Sequence, residues 1–544
     1  MFIEILNHKR CFATFVTLDC SLLALVVALI YRQFHHGMLH TALYALVVTL
    51  MLGILLRKFN QKKYQRMKRL RMQQLTKHDV ESAIYKNNSI VPYLNTLMLP
   101  LFLAAVIPRK GSVIPEVLLF GSLLCCLLDI FMFDTVAILF AAVLSFFLSD
   151  YLFEYVLGRR IIFLTIIQAL VHEYLRDDLT KSLDIADSVV IAQLVTIGLH
   201  LAAGGYVRNF SPSMMPLVDF CVYLGYLLMI LLAVVVTEGI SNSFPRSCIK
   251  RKMSITTRIM VLIPCIYSFV SWGTNEKGYK MGLVPFKYLI RQFTSKNAAI
   301  TLGIWTANTL LCVAIVYGKA QTLNGNAHKH NNQKSTMVII MRKMFHMLLM
   351  INAAVAIYTR QQLLLAITLY ILFVAMMVVE LVRFHGYMPT KMQKGLTQIY
   401  NTFGENNTVR NMVLPHAWLI LAAGVPLWME ILQKRSLKFI EAFLGLAVVT
   451  LADTAAALAG NKANKMKCNQ KSIRGSFAFF VTTLLALGAS MYAKYGNKLK
   501  CAHAAAAAAV AMATTIVEAG CPGIDNFNVA MMASALYANI DKIL

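Results

Sequence analysis

Charge is scarce in this sequence, and negative charge is scarcer than positive. Only 14% of its 544 residues are charged, and 25 Asp and Glu face 52 Lys and Arg. A soluble domain carries about 25% charged residues, so an ordinary soluble fold is excluded. Alternating apolar segments of about 10 residues are missing too, which excludes a transmembrane barrel. The eleven cysteines make no Cys-x-x-Cys pair, so neither a zinc site nor a disulfide framework is indicated. No P-loop string occurs, and no glycine fingerprint of a dinucleotide fold follows a strand, because no strands are predicted. His172-Glu173 lacks the second His, one helical turn away, that a metalloprotease needs.

The bulk of the chain is apolar: 58% of residues are hydrophobic, in runs of membrane-spanning length from end to end. The reading is an all-α, polytopic membrane bundle of roughly 13–15 transmembrane helices. Phe12 to Tyr31 is longer than a secretory apolar core and has no small-residue cleavage site, so it reads as a first span. The net charge of +27 sits in short loops, notably Arg57–Lys77 and Arg246–Arg258. That pattern is positive-inside topology facing anionic lipid, not nucleic-acid binding. Residues 158–185 resist assignment, with His172–Lys181 read as interfacial or loop. Lys319 to Lys343, with His328 and His330, reads as a solvated polar linker. It divides a featureless region, 1–330, from a second region, 331–544, where polar residues reach membrane depth.

Topology gathers those polar residues. Arg342, Lys343 and His346 open an apolar hairpin that turns near Thr359–Gln362 and closes on Glu380 and Arg383. A loop, 384–413, leads to spans near 414–432, starting at His416, and 437–459. These deliver Asp453 and then a loop bearing Lys462, Lys465, Lys471, Ser472, Arg474 and Gly475. Spans near 476–494 and 502–519 return to the same face with Glu518, Asp525 and Asn526. A carboxylate at the end of an apolar run must be paired, hold a metal, or face water. Asp453 with the Asp525-Asn526 pair is hard-oxygen ligation suited to Mg²⁺. The cations and the amides where the helix starts at Ser472–Gly475 suit phosphate. Phosphoryl transfer then asks only for a base, and His346 is the candidate. The competing readings are an ion pair of Asp453 with a Lys, a headgroup-level His346, and an intrahelical Glu380–Arg383 pair.

At these residues the sequence resembles the polyprenol kinases, the family of dolichol and phytol kinases, over roughly its last 200 residues. The matching segments are RKMFH (342–346), Glu380-x-x-Arg383 and PHAWLILAAGVPLW (415–428). DTAAALAG (453–460), KSIRGSFAFF (471–480) and VEAGCPGIDN (517–526) come next, in the family's order. The resemblance implies a CTP-dependent enzyme of the endoplasmic reticulum membrane, its site facing the cytosol. It would phosphorylate dolichol or another polyprenol, making the carrier lipid for protein glycosylation. Lys462, Lys471 and Arg474 would hold CTP, and Asp453 and Asp525 the divalent ion. Other readings stay open: a farnesol- or phytol-type kinase, an enzyme making a CDP-lipid, or a transporter whose intramembrane acids serve ions.

Overall fold

The computed structural model describes single helical residues between 98 and 175, then 185–202, 290–325, 331–384, 388–403, 414–432, 440–460, 472–520 and 525–538, with Ile540. The described residues are almost entirely helical, with no strands, and six of their helices are long and apolar enough to cross a bilayer. This is an all-α membrane protein. The sequence-predicted spans near 12–31, 38–56, 135–157, 215–240 and 257–272 lie outside the described residues, as do His328 and His330. Contacts divide the chain into two compact units, one built on 198–461 and one on 462–544 with parts of the amino-terminal region.

In the amino-terminal region, Leu164, Gln168, His172 and Leu175 are helical and buried. The expectation of a loop or interfacial segment at His172 is therefore corrected. Helix α1, Ile185–Ala202, places Ser188 Oγ 2.9 Å from His172 Nδ1 and Gln193 Nε2 2.6 Å from Ser122 Oγ. Gln168 Nε2 donates to the same hydroxyl at 3.2 Å. Polar side chains in an apolar bundle satisfy one another across helices because lipid offers them nothing. Charge scarcity had hidden this, since Ser, Gln and His interrupt apolar runs without breaking them.

In the unit on 198–461, the first two long helices among the described residues are α2, Lys296–Gly325, and α3, Asn331–Tyr358. Most of the polar insert expected to be linker is helical: Lys319–Gly325 ends α2 and Asn331–Lys343 begins α3. Its residues carry no proline, so backbone bonding runs on past the apolar part. Trp305 Nε1 donates to Asn352 O at 2.8 Å, and Asn308 Nδ2 to Asn352 Oδ1 at 3.1 Å, pinning α2 to α3. Outward, Leu310 and Leu311 are exposed, as a face toward acyl chains should be.

Helix α3 stops where Arg360 adopts φ 55°. Gln361 N–H then bonds Ala356 O at 2.7 Å and Arg360 N–H bonds Ile357 O at 3.1 Å, a Schellman stop with arginine where glycine is usual. Helix α4, Gln362–Phe384, returns antiparallel. The loop expected over 384–413 contains a further helix, α5, Thr390–Phe403. Helix α6, Pro415–Leu432, packs on α4, with Trp428 Nε1 donating to Ala366 O at 2.9 Å and Tyr370 edge-on to the indole. The last element of the unit is α7, Ile440–Ala447, continuing through a π turn, Val448–Ala452, into α8, Asp453–Gly460.

The second unit's carboxyl-terminal part is α9, Ile473–Tyr495, α10, Cys501–Gly520, and α11, Asp525–Ala538. They pack in sequence, α9 on α10 and α10 on α11. Ser472 caps α9, and Gly496 at φ 53° ends it. Lys494 lies over the rings of Tyr495 and Tyr537 at 5.4 and 5.3 Å, tying the end of α9 to α11.

Candidate functional site

The hairpin α3–α4 folds back on itself at Arg360, so the start of α3 and the end of α4 lie at the same end. That end carries Arg342, Lys343 and His346 from one helix and Glu380 and Arg383 from the other. Glu380 and Arg383 are each 2% exposed. Arg383 Nε donates to Glu380 Oε2 at 2.9 Å and Nη2 to Oε1 at 2.5 Å, a two-point pair one helical turn apart. His416, at the first turn of α6, meets Phe345 ring edge to face at 6.5 Å and lies within electrostatic range of Arg342 and Glu380.

Asp453 joins this group from the π turn. Its own N–H bonds Val448 O, five residues back, and so closes the turn. Each π turn adds one residue to the helix register, rotating the residues beyond it by roughly 100° relative to an uninterrupted helix. α3 packs against both the π turn and α8. Lys343 Nζ donates to Asp453 Oδ2 across 110 residues of sequence, and His346 Nε2 is 3.6 Å from the same oxygen. His346 Nδ1 is 3.2 Å from Arg342 O. A carbonyl only accepts, so Nδ1 carries a proton and Nε2 is the nitrogen free to take one. Nε2 is buried with no hydrogen-bond partner. An acid, an ammonium and an imidazole nitrogen without a hydrogen bond thus share one small region between α3 and α8.

No family model matches the chain, and neither a curated protein nor a solved structure matches it. The function therefore rests on the residues themselves.

Among the expected site residues, Arg342, Lys343, His346, Glu380, Arg383, His416 and Asp453 fall in the first-described unit and gather at one end of it. Ser472, Arg474, Gly475, Glu518 and Asn526 belong to the other unit. There Ser472 Oγ accepts from Gly475 N–H at 3.0 Å, Arg474 is exposed in the first turn of α9, and Glu518 is buried. Lys462, Lys465 and Lys471 lie outside the described residues; Asp525 opens α11 but its side chain is not described. Among the described residues no group of three His, Cys, Asp or Glu is placed to hold a metal. The intrahelical Glu380–Arg383 pair and the Asp453–Lys contact, both read as alternatives from sequence, are present.

Two features had no signal in the sequence. The π turn is one: Thr450 Oγ1 bonds Leu446 O at 2.8 Å within it, which a threonine also does in a regular helix. Asn528 is the other, fully buried on α11 with neither amide atom hydrogen-bonded, just past the Asp525-Asn526 pair singled out by sequence.

Proposed function

We propose that the protein is a CTP-dependent lipid kinase that phosphorylates the terminal hydroxyl of a long isoprenoid alcohol such as dolichol, at the cytosolic face of the endoplasmic reticulum membrane. The observation that carries this reading is the meeting of Lys343, His346 and Asp453. An alcohol oxygen placed between His346 Nε2 and Asp453 would find a base for its proton and a carboxylate to orient it. Lys343, already at Asp453, is positioned to follow negative charge onto a transferring phosphoryl group. The depth also fits, because the cluster stands at the ends of spanning helices, where an amphiphile's hydroxyl resides.

Mg²⁺ bound to the nucleotide would neutralise phosphate charge. The fit is partial: Asp453 supplies one hard oxygen donor, and Mg²⁺ tolerates a shell completed by water and phosphate. Asp453 is 16% exposed at its side chain, so an ion can reach it in competition with Lys343. Arg342, exposed one residue before Lys343, adds a second cation for phosphate. Glu380 and Arg383, at the far end of α4 from the hairpin turn, pair with each other.

The test is transfer of labelled phosphate from CTP to dolichol by the purified chain in lipid nanodiscs. Lipid phosphate and CDP are the expected products. Pyrophosphate with a CDP-lipid would mean the nucleotidyl-transfer alternative, and no nucleotide turnover with ion flux would mean a transporter. Asp453→Asn should lower turnover by about 10²-fold or more, and unchanged turnover would remove that residue from the mechanism.

A further inference from the structure

Helix α5, Thr390–Phe403, is not part of the catalytic reading, and no motif in the sequence assigns it a role. At 14 residues it is too short to span, since a span needs about 20. Its apolar residues Met392, Leu396, Ile399, Tyr400 and Phe403 keep helical spacing and occupy one arc of roughly 100°. Lys391 and Lys394 lie off that arc and are exposed. No acid occurs from Phe384 through Gly404. Met392, on the arc, is 61% exposed, while Leu396, further round, is half-buried. The helix is also anchored: Gln393 Nε2 donates to Arg383 O at 3.2 Å, and α5 packs on α3. Arg383 is the last residue of a span, so α5 is fastened to the membrane edge itself.

We propose that α5 lies along the bilayer surface as an interfacial helix, its Met392–Phe403 stripe in the acyl boundary and Lys391 and Lys394 against anionic lipid phosphates. A short helix with an apolar arc and a cationic remainder has this as its stable position. Two features of the fold select the bilayer over a protein partner. The tether holds the helix where lipid headgroups already are, and the absence of acid over 21 residues, 384–404, matches an anionic surface. This placement does not depend on the phosphoryl-transfer reading.

The experiment uses the full chain in nanodiscs of phosphatidylcholine alone or with roughly a third phosphatidylserine. An environment-sensitive fluorescent amino acid is incorporated at Met392 or at Lys394. The probe at 392 should be quenched by lipids spin-labelled at the top of the acyl chain and shielded from aqueous iodide; the probe at 394 should be reached by iodide and quenched far less by the acyl-chain label. Lys391→Glu/Lys394→Glu should shift the probe at 392 toward iodide by roughly tenfold in the serine lipid and little in phosphatidylcholine. Free inorganic phosphate should leave the signal unchanged. Iodide quenching at 392 in both lipids overturns the proposal. So does shielding from both quenchers, which would mean that this chain or a second copy covers the stripe.

Discussion

Removing half of the Glu380–Arg383 pair leaves the other charge at 2% exposure without the two-point bond it makes one helical turn away. The pair bonds twice, at 2.9 and 2.5 Å, so a single truncation breaks both contacts. Arg383→Met or Glu380→Leu should each destabilise the protein by about 3–5 kcal/mol, because the remaining charge stays buried without its two-point bond. Arg383→Met/Glu380→Leu removes both charges and should cost much less than the sum. The interaction energy of the cycle should be at least about 2 kcal/mol. Unfolding free energies from steric trapping in nanodiscs provide the measurement, since they need no denaturant and keep the bilayer. Two results would refute the reasoning: single substitutions costing under about 1 kcal/mol, or a double substitution equal to their sum. Either would mean that water or lipid headgroups reach the pair and screen it.

Four further outcomes rest on particular geometries. Arg360→Gly should stabilise the α3–α4 hairpin by about 0.5–1 kcal/mol, because φ 55° strains a side-chain-bearing residue and not glycine; the same unfolding assay reads it. Ser472→Ala should destabilise by about 1 kcal/mol through loss of the cap on Gly475 N–H, with Ser472→Asp retaining the wild-type value. Gly424→Ala would place a methyl 2.6 Å from Trp428 Cζ2, forcing the indole off Ala366 O at a cost of about 1–3 kcal/mol. Deleting Val449 should remove the π turn and swing Asp453 away from α3. A short thiol cross-linker should then join Lys343→Cys and Asp453→Cys in the full-length chain and fail in the deletion variant, and equal yields would show that the turn does not set the position.

Much of the carboxyl-terminal half was legible in the sequence. The hairpin at Thr359–Gln362, the helix starting after Ser472 and the spans over 414–432 and 502–519 match the observed helices closely. Apolar length fixes a span almost by itself, because in lipid each backbone group must bond within its own helix. The helical ends of the polar insert, Lys319–Gly325 and Asn331–Lys343, the helix at Thr390–Phe403 and buried His172 were not legible. In each, polar composition suggested loop, whereas amphipathic spacing or a partner across the bundle, such as Ser188 for His172, made a helix stable.

The same division runs through the site. Sequence alone determined that Arg342, Lys343, His346, Glu380, Arg383 and Asp453 stand near the ends of spans, since charge is tolerated there and seldom deeper. Only the tertiary structure decided that Lys343 and His346 meet Asp453, because this depends on rotation about the helix axis as well as depth. A single inserted residue, in the turn that Asp453 itself closes, sets that rotation, and hydropathy carries no trace of it.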